Sequence, residues 1–324
     1  MSSAPPPRKR PRTEDQDAEE TDNEAAVKRD EELWFEDGTV VLAAGNVEFC
    51  VYKGLLADRS PVFKDMFAFP QPRSPPAEPT DLPRVNLPDS AEDIRELLRM
   101  LLPDKQSRLY SRKQPSFHAL SACVRLGHKY QIDHILDEAM AFIRKAYPKD
   151  FPSYLERTVF SEEYAIGAVN LAQLIGACDV LPVAFLDCCT LFGTDLVWGF
   201  LRPDGTREML SPRNLAFAIE AKDRLMRENA RRLHRMTKFK PSSKCSGGDG
   251  CLAAEVFAMP LDEDDWQAGL SARVLAPWGL SVPDGKICDA CVKAWEEQVL
   301  AYRQDVWNRL PQILGMVVDD WGTG

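Results

Sequence analysis

Residues 33–67 read LWFEDGTVVLAAGNVEFCVYKGLLADRSPVFKDMF. Thr39 to Ala43 is a β-branched, apolar run, and Ala44-Gly45-Asn46 supplies a turn, because Gly and Asn tolerate positive φ. Val47, Phe49 and Val51 then alternate with Glu48, Cys50 and Tyr52, which predicts a half-buried strand. After Tyr52 the period changes. Leu55 and Leu56 begin a helix that Ser60-Pro61 stops, since the residue before proline is pushed out of the α region. The same pair opens the next helix, with Ser60 as N-cap and Pro61 at its first position. Val62, Phe63, Met66 and Phe67 fall on one face of it.

Outward from this stretch the chain has 324 residues, 44% hydrophobic and 28% charged, a globular composition long enough for about two domains. The net charge of −10 argues against broad nucleic-acid binding and leaves room only for a local basic patch. No apolar run approaches the roughly 20 residues of a membrane span, and the N-terminus carries no signal-peptide pattern. A reducing compartment, nucleus or cytoplasm, is expected. The nine cysteines then read as core thiols or metal ligands rather than disulfides.

Residues 1–31 read as a disordered tail. Within it Arg8-Lys9-Arg10-Pro11-Arg12 has the composition of a nuclear localisation signal, and equally of a plain solvated basic run. Residues 68–84 contain six prolines and read as an exposed loop that includes Ser74-Pro75. Arg84 to Leu87 is a strand candidate. Ser90 with Asp93 predicts a capping box ahead of a helix with Ile94, Leu97, Leu98 and Leu101 inward. Ser116 caps another helix, and Ile132 to Ile143 forms the next. Residues 150–240 read as helical. They end in a basic helix, Asn214 to Met236, with Leu225, Met226, Ala230, Leu233 and Met236 as its stripe. A last helix carries Val292, Trp295, Val299, Tyr302, Val306 and Leu310, and Pro311 is expected to end it.

The pattern Phe49-x-Val51-Tyr52-Lys53-x-x-Leu56-Ala57-x-x-Ser60-x-x-Phe63-x-x-Met66-Phe67 resembles the start of a BTB/POZ domain, in particular the form found in many fungal proteins. Asp37-Gly38, Leu87-Pro88-Asp89 and the helices of Phe117 to Ile143 fit the same family. The chain departs from it at Tyr52, where the family usually has His. The resemblance implies an α+β fold: a small sheet with packed helical hairpins, followed by a mainly α-helical region. It covers residues 32–146 as a BTB/POZ domain and points to the helical extension (147–240), while composition and helical pattern set off a tail (1–31) and a C-terminal helical segment (241–324). Phe49, Val51, Leu56, Ser60, Phe63 and Phe67 are its expected anchors. It also implies protein partners: a second copy in a homodimer, or a cullin-type ubiquitin-ligase scaffold served by a substrate adaptor. The cullin-binding class often carries a hydrophobic-x-Glu motif, and the loop PRSPPAEPTDLP has none.

Cys245-x5-Cys251 and Cys288-x2-Cys291 are the sharpest chemical signal outside that domain. Four thiolates from two loops suit a closed, tetrahedral, structural Zn²⁺. Gly247, Gly248 and Gly250 would let the first loop wrap a metal; the competing reading is four unlinked thiols. Cys123 lies between His118 and His128 in sequence, but five residues from His118 is a poor helical spacing for a nucleophile and its base. No catalytic motif accompanies it, so no enzyme is expected. The basic helix, Lys222 to Lys240, has no aromatic interleaving. It reads as a solvated face, or as the contact of a nuclear transcription regulator with nucleic acid, alone or with the cysteine site.

Overall fold

The computed structural model describes residues 27–69, 82–102, 115–236, 241–247, 251, 271–276 and 287–322. The deciding stretch forms the two strands and two helices its period predicts: β2 (Val40–Ala44), β3 (Val47–Val51), α1 (Lys53–Arg59) and α2 (Pro61–Ala68). Gly45, at φ 56°, turns β2 into antiparallel β3. The Ser60 hydroxyl accepts from the Phe63 N–H at 3.0 Å and donates to the Tyr130 carbonyl at 2.6 Å. One side chain thus caps α2 and fixes it to a later helix.

Two further strands complete the sheet, in the order β1-β3-β2-β4. The strand candidate Arg84–Leu87 forms β4, which runs parallel to β2. β1 (Lys28–Trp34) runs parallel to β3 and corrects the expected tail, since its first four residues fall within 1–31. Its buried positions are Asp30 and Leu33, three apart, so it lacks the period of two that marks a strand in sequence. Asp30 is held by Arg95 at 2.8 Å. Residues 1–26, with the basic run, and residues 70–81, with Ser74, lie outside the described residues.

Helices α3 (Ala91–Leu101), α4 (Phe117–Lys129) and α5 (Asp133–Ala146) pack in succession, α3 on α4 and α4 on α5, and share one buried core with the sheet. Ser90 caps α3 by accepting from the Asp93 N–H. The Asp93 carboxylate does not close the expected box; it binds Arg125 and Arg202. Phe49, Val51, Leu56, Ser60 and Phe63 are fully buried, while Phe67 is half-buried and stacks on Phe63. The fold is α+β.

The chain continues through α6 (Phe151–Glu156), α7 (Tyr164–Ile175), α8 (Leu181–Cys188), α9 (Gly193–Trp198), the hairpin β5 (Phe200–Leu201) and β6 (Arg207–Glu208), and the long α10 (Pro212–Met236). α11 (Asp289–Asn308) and α12 (Leu310–Leu314) follow. Pro311 sits in the first turn of α12, so it opens a short helix rather than merely ending the previous one. One cluster of buried side chains runs from Leu33 to Leu314.

α10 differs from its predicted stripe. Ala218, Ala221 and Leu225 are buried, but Ala230 is exposed, and the inward face continues as Glu228, Asn229 and Arg232. This polar stretch meets α11: the Tyr302 hydroxyl donates to the Glu228 carbonyl at 3.1 Å, and Arg309 reaches the Glu228 carboxylate at 3.0 Å.

Candidate metal centre

The four expected ligands come together. The Sγ atoms of Cys245, Cys251, Cys288 and Cys291 all lie within 4.8 Å of one another, although the pairs are separated by some forty residues of chain. Cys288 is the N-cap of α11 and Cys291 lies in its first turn, so the Cys-x2-Cys spacing turns both thiols toward one point. Cys245 closes a tight turn, its N–H donating to the Ser242 carbonyl at 3.0 Å. A Cβ at Gly247 would run into the Cys251 sulfur, so only glycine lets the backbone pass that close. Gly248 and Gly250 lie outside the described residues.

The geometry is that of a compact sulfur cage. Zn–S bonds of about 2.3 Å in a tetrahedron give S···S edges of roughly 3.8 Å, and Cys288 Sγ lies 3.8 Å from Cys245 Sγ. Backbone N–H groups already point at the sulfurs: Ser242 donates to Cys291 Sγ at 3.3 Å, and Cys288 to Cys251 Sγ at 3.3 Å. Such bonds orient thiolate ligands and stabilise their charge. The N–H groups of Ser246 and Cys291 hold the Cys288 thiol down, to about 5, whereas burial pushes Cys291 up to about 12. Cys251 and Cys291 are buried, and Cys245 and Cys288 are half-buried.

The other sequence candidates are not brought together in this way. Cys123 is buried, while the His118 Nε2 sits 3.1 Å from the Tyr164 hydroxyl. Burial, with Arg202 and Arg125 nearby, keeps His118 below its usual range. Cys188 and Cys189 are core thiols; burial pushes Cys189 up to about 12.

The basic residues of α10 are largely engaged inside the molecule. Lys222 donates to the Leu191 carbonyl at 2.6 Å and Arg224 to that of Leu314 at 2.6 Å. Arg227 pairs with Asp223 at 2.8 Å, Arg231 with Glu228 at 3.0 Å and Arg235 with Asp305 at 3.9 Å. Arg232 is 5% exposed, pushed down to about 10 by burial, and donates to the carbonyls of Val274 and Ala276. Arg227, Arg231 and Arg235 keep most of their surface in solvent, as a solvated face requires, whereas Arg232 turns inward to carbonyls more than forty residues along the chain. Lys238 and Lys240 are outside the described residues.

No helix among the described residues is long and apolar enough to cross a membrane. No curated protein matches the chain. Its sheet order, the hairpin over Gly45-Asn46, the Ser60 cap and the α4–α5 pair all belong to one stretch, and residues 35–147 match the family model of the BTB/POZ domain, the domain this part of the chain forms.

Proposed function

We propose that this protein is a non-enzymatic interaction protein. Its BTB/POZ domain binds a second copy of the chain or another protein, and its C-terminal segment is held by a structural zinc ion on Cys245, Cys251, Cys288 and Cys291. The observation that carries the reading is the match of residues 35–147 to a domain whose general role is to bind proteins. Asp37-Gly38, in the turn between β1 and β2, supports the fungal form; at the atypical position the Tyr52 hydroxyl donates to Asp37 at 2.8 Å.

Homodimerisation is the first partner choice. A substrate adaptor on a cullin-type scaffold is the second, weakened by the absence of hydrophobic-x-Glu in PRSPPAEPTDLP. A nuclear regulator contacting nucleic acid through α10 is disfavoured, because Arg224, Arg227, Arg231 and Arg232 of that helix have intramolecular partners. The reading is compatible with nucleus or cytoplasm.

The zinc assignment rests on the four sulfurs lying together and on the N–H groups directed at them. Four protein ligands leave no open position, so the ion would staple the N-terminus of α11 and would not catalyse a reaction.

The test is light scattering on the full chain, followed by affinity purification from its own cells, with Phe63→Ala as the broken-domain control. A dimer mass lost in the control supports self-association. A cullin scaffold recovered by the intact protein and lost by the control supports the adaptor. A monomer that recovers neither scaffold nor any protein dependent on Phe63 overturns the reading.

A further inference from the structure

A cavity of about 400 Å³ opens where three parts of the chain meet: the end of α5, the α6–α7 connection with α8, and the C-terminal stretch with α11. Junctions of this kind favour ligand pockets, and the volume falls in the usual range of about 300–1,000 Å³. Tyr147, Tyr154 and Phe160 give it aromatic walls, and three guanidiniums, Arg157, Arg273 and Arg303, line it.

Two of these cations are neutralised within the protein. Arg157 holds Asp187 through two bonds of 2.8 Å and donates to the Ala146 carbonyl at 3.1 Å. Arg273 pairs with Glu162 at 2.8 Å. Arg303 differs. Its Nε donates to the Leu275 carbonyl at 2.8 Å, and it makes no ion pair with a carboxylate among the described residues. It is half-buried, and burial holds it below the usual guanidinium range. A partly desolvated cation without a counter-charge is costly unless an anion joins it.

We infer that this cavity binds a small organic carboxylate with an apolar body about the size of one ring. Arg303 is the counter-ion, and Tyr147, Tyr154 and Phe160 enclose the body. The free edge of a guanidinium matches a carboxylate through paired N–H donors, and aromatic walls favour an apolar body over a bare inorganic anion. The volume admits one ring and its carboxylate rather than a run of peptide. Such a ligand would touch the BTB/POZ domain, the extension and the C-terminal segment at once, so its binding energy would hold the three together.

The experiment is a calorimetric titration of the full chain with 3-phenylpropionate, beside its uncharged amide. Saturable binding of the acid, at least about tenfold tighter than the amide, is expected. Arg303→Gln weakens it at least about tenfold, Arg303→Lys recovers part, and Arg227→Gln, on the outer face of α10, leaves it unchanged. Acid and amide binding equally, or no saturable binding below about 10 mM, overturns the inference. So does N-acetyl-Gly-Phe binding about tenfold tighter than the free acid, which would assign the site to a peptide terminus. The acid–amide comparison uses the unaltered protein and decides the matter even where an Arg303 variant fails to fold.

Discussion

The Arg202 guanidinium lies 2.6 Å from the Asp93 carboxylate, across the seam between the BTB/POZ domain and the β5–β6 hairpin. Arg125 of α4 binds the same carboxylate at 2.7 Å. All three side chains are mostly buried, at 14% to 23% exposure, so solvent screens them less than a surface pair. The acid that sequence reading assigned to a helix cap therefore ties two parts of the chain together.

Asp93→Asn is expected to cost about 1.5–3 kcal/mol, the range for hydrogen bonds to charged groups. Urea denaturation followed by circular dichroism measures it. The Asp93→Asn, Arg202→Gln double variant should cost less than the two single changes added together. Strict additivity would mean that the contact carries no energy.

Phe63 is fully buried and stacks on Tyr130 with ring centroids 4.4 Å apart. Phe63→Ala should cost about 3–5 kcal/mol, from lost transfer energy and the cavity left behind. Phe67→Ala, at a half-buried ring, should cost less. Equal urea midpoints for the two variants would contradict this.

Purified protein should carry about one equivalent of zinc, as a site with four protein ligands implies. Cys291→Ser should abolish it, while Cys178→Ser, at an exposed thiol, should leave it intact. A strong chelator should lower the melting temperature and shift tryptophan emission, since Trp295 and Trp307 are buried on α11. A zinc content below about a tenth of an equivalent would refute the site.

Burial alone would raise the Glu228 carboxyl, but the guanidiniums of Arg309 and Arg231 outweigh it and hold it below the usual carboxylate range. An acid depressed in the folded state stabilises above its unfolded pKa of about 4.3, and that contribution fades as pH falls through the folded value. Glu228→Gln should therefore melt below the parent protein at pH 6, and the gap should close as pH drops below about 4.3. Thermal melts between pH 3 and pH 6 check this; a gap that widens toward acid would have the wrong sign.

The parts legible in the sequence are those whose cause is local. Phe49, Leu56, Ser60 and Phe63 announce themselves because strand and helix periods place them before any tertiary contact forms. Cys288 and Cys291 are legible for the same reason: their spacing within one turn aims both thiols together. The convergence of Cys245 and Cys251 on them follows from chain separations of about forty residues, which spacing alone only suggests. β1 was hidden because its sequence, KRDEELW, becomes a strand only by pairing with β3, and its buried Asp30 needs an arginine 65 residues away. The inward turn of Arg232 is not legible locally either, because the carbonyls it meets lie 42 and 44 residues further along.

β1 also decides where a fragment of this protein can begin. A cut at residue 32, where composition turns globular, removes Lys28 and Arg29, the residues that register with Val47 and Glu48. It would leave part of β3 as a bare flank, with unpaired amides and carbonyls open to another chain. Such a fragment invites sticking between molecules that mimics self-association, so the partner question has to be asked of protein that keeps residue 28.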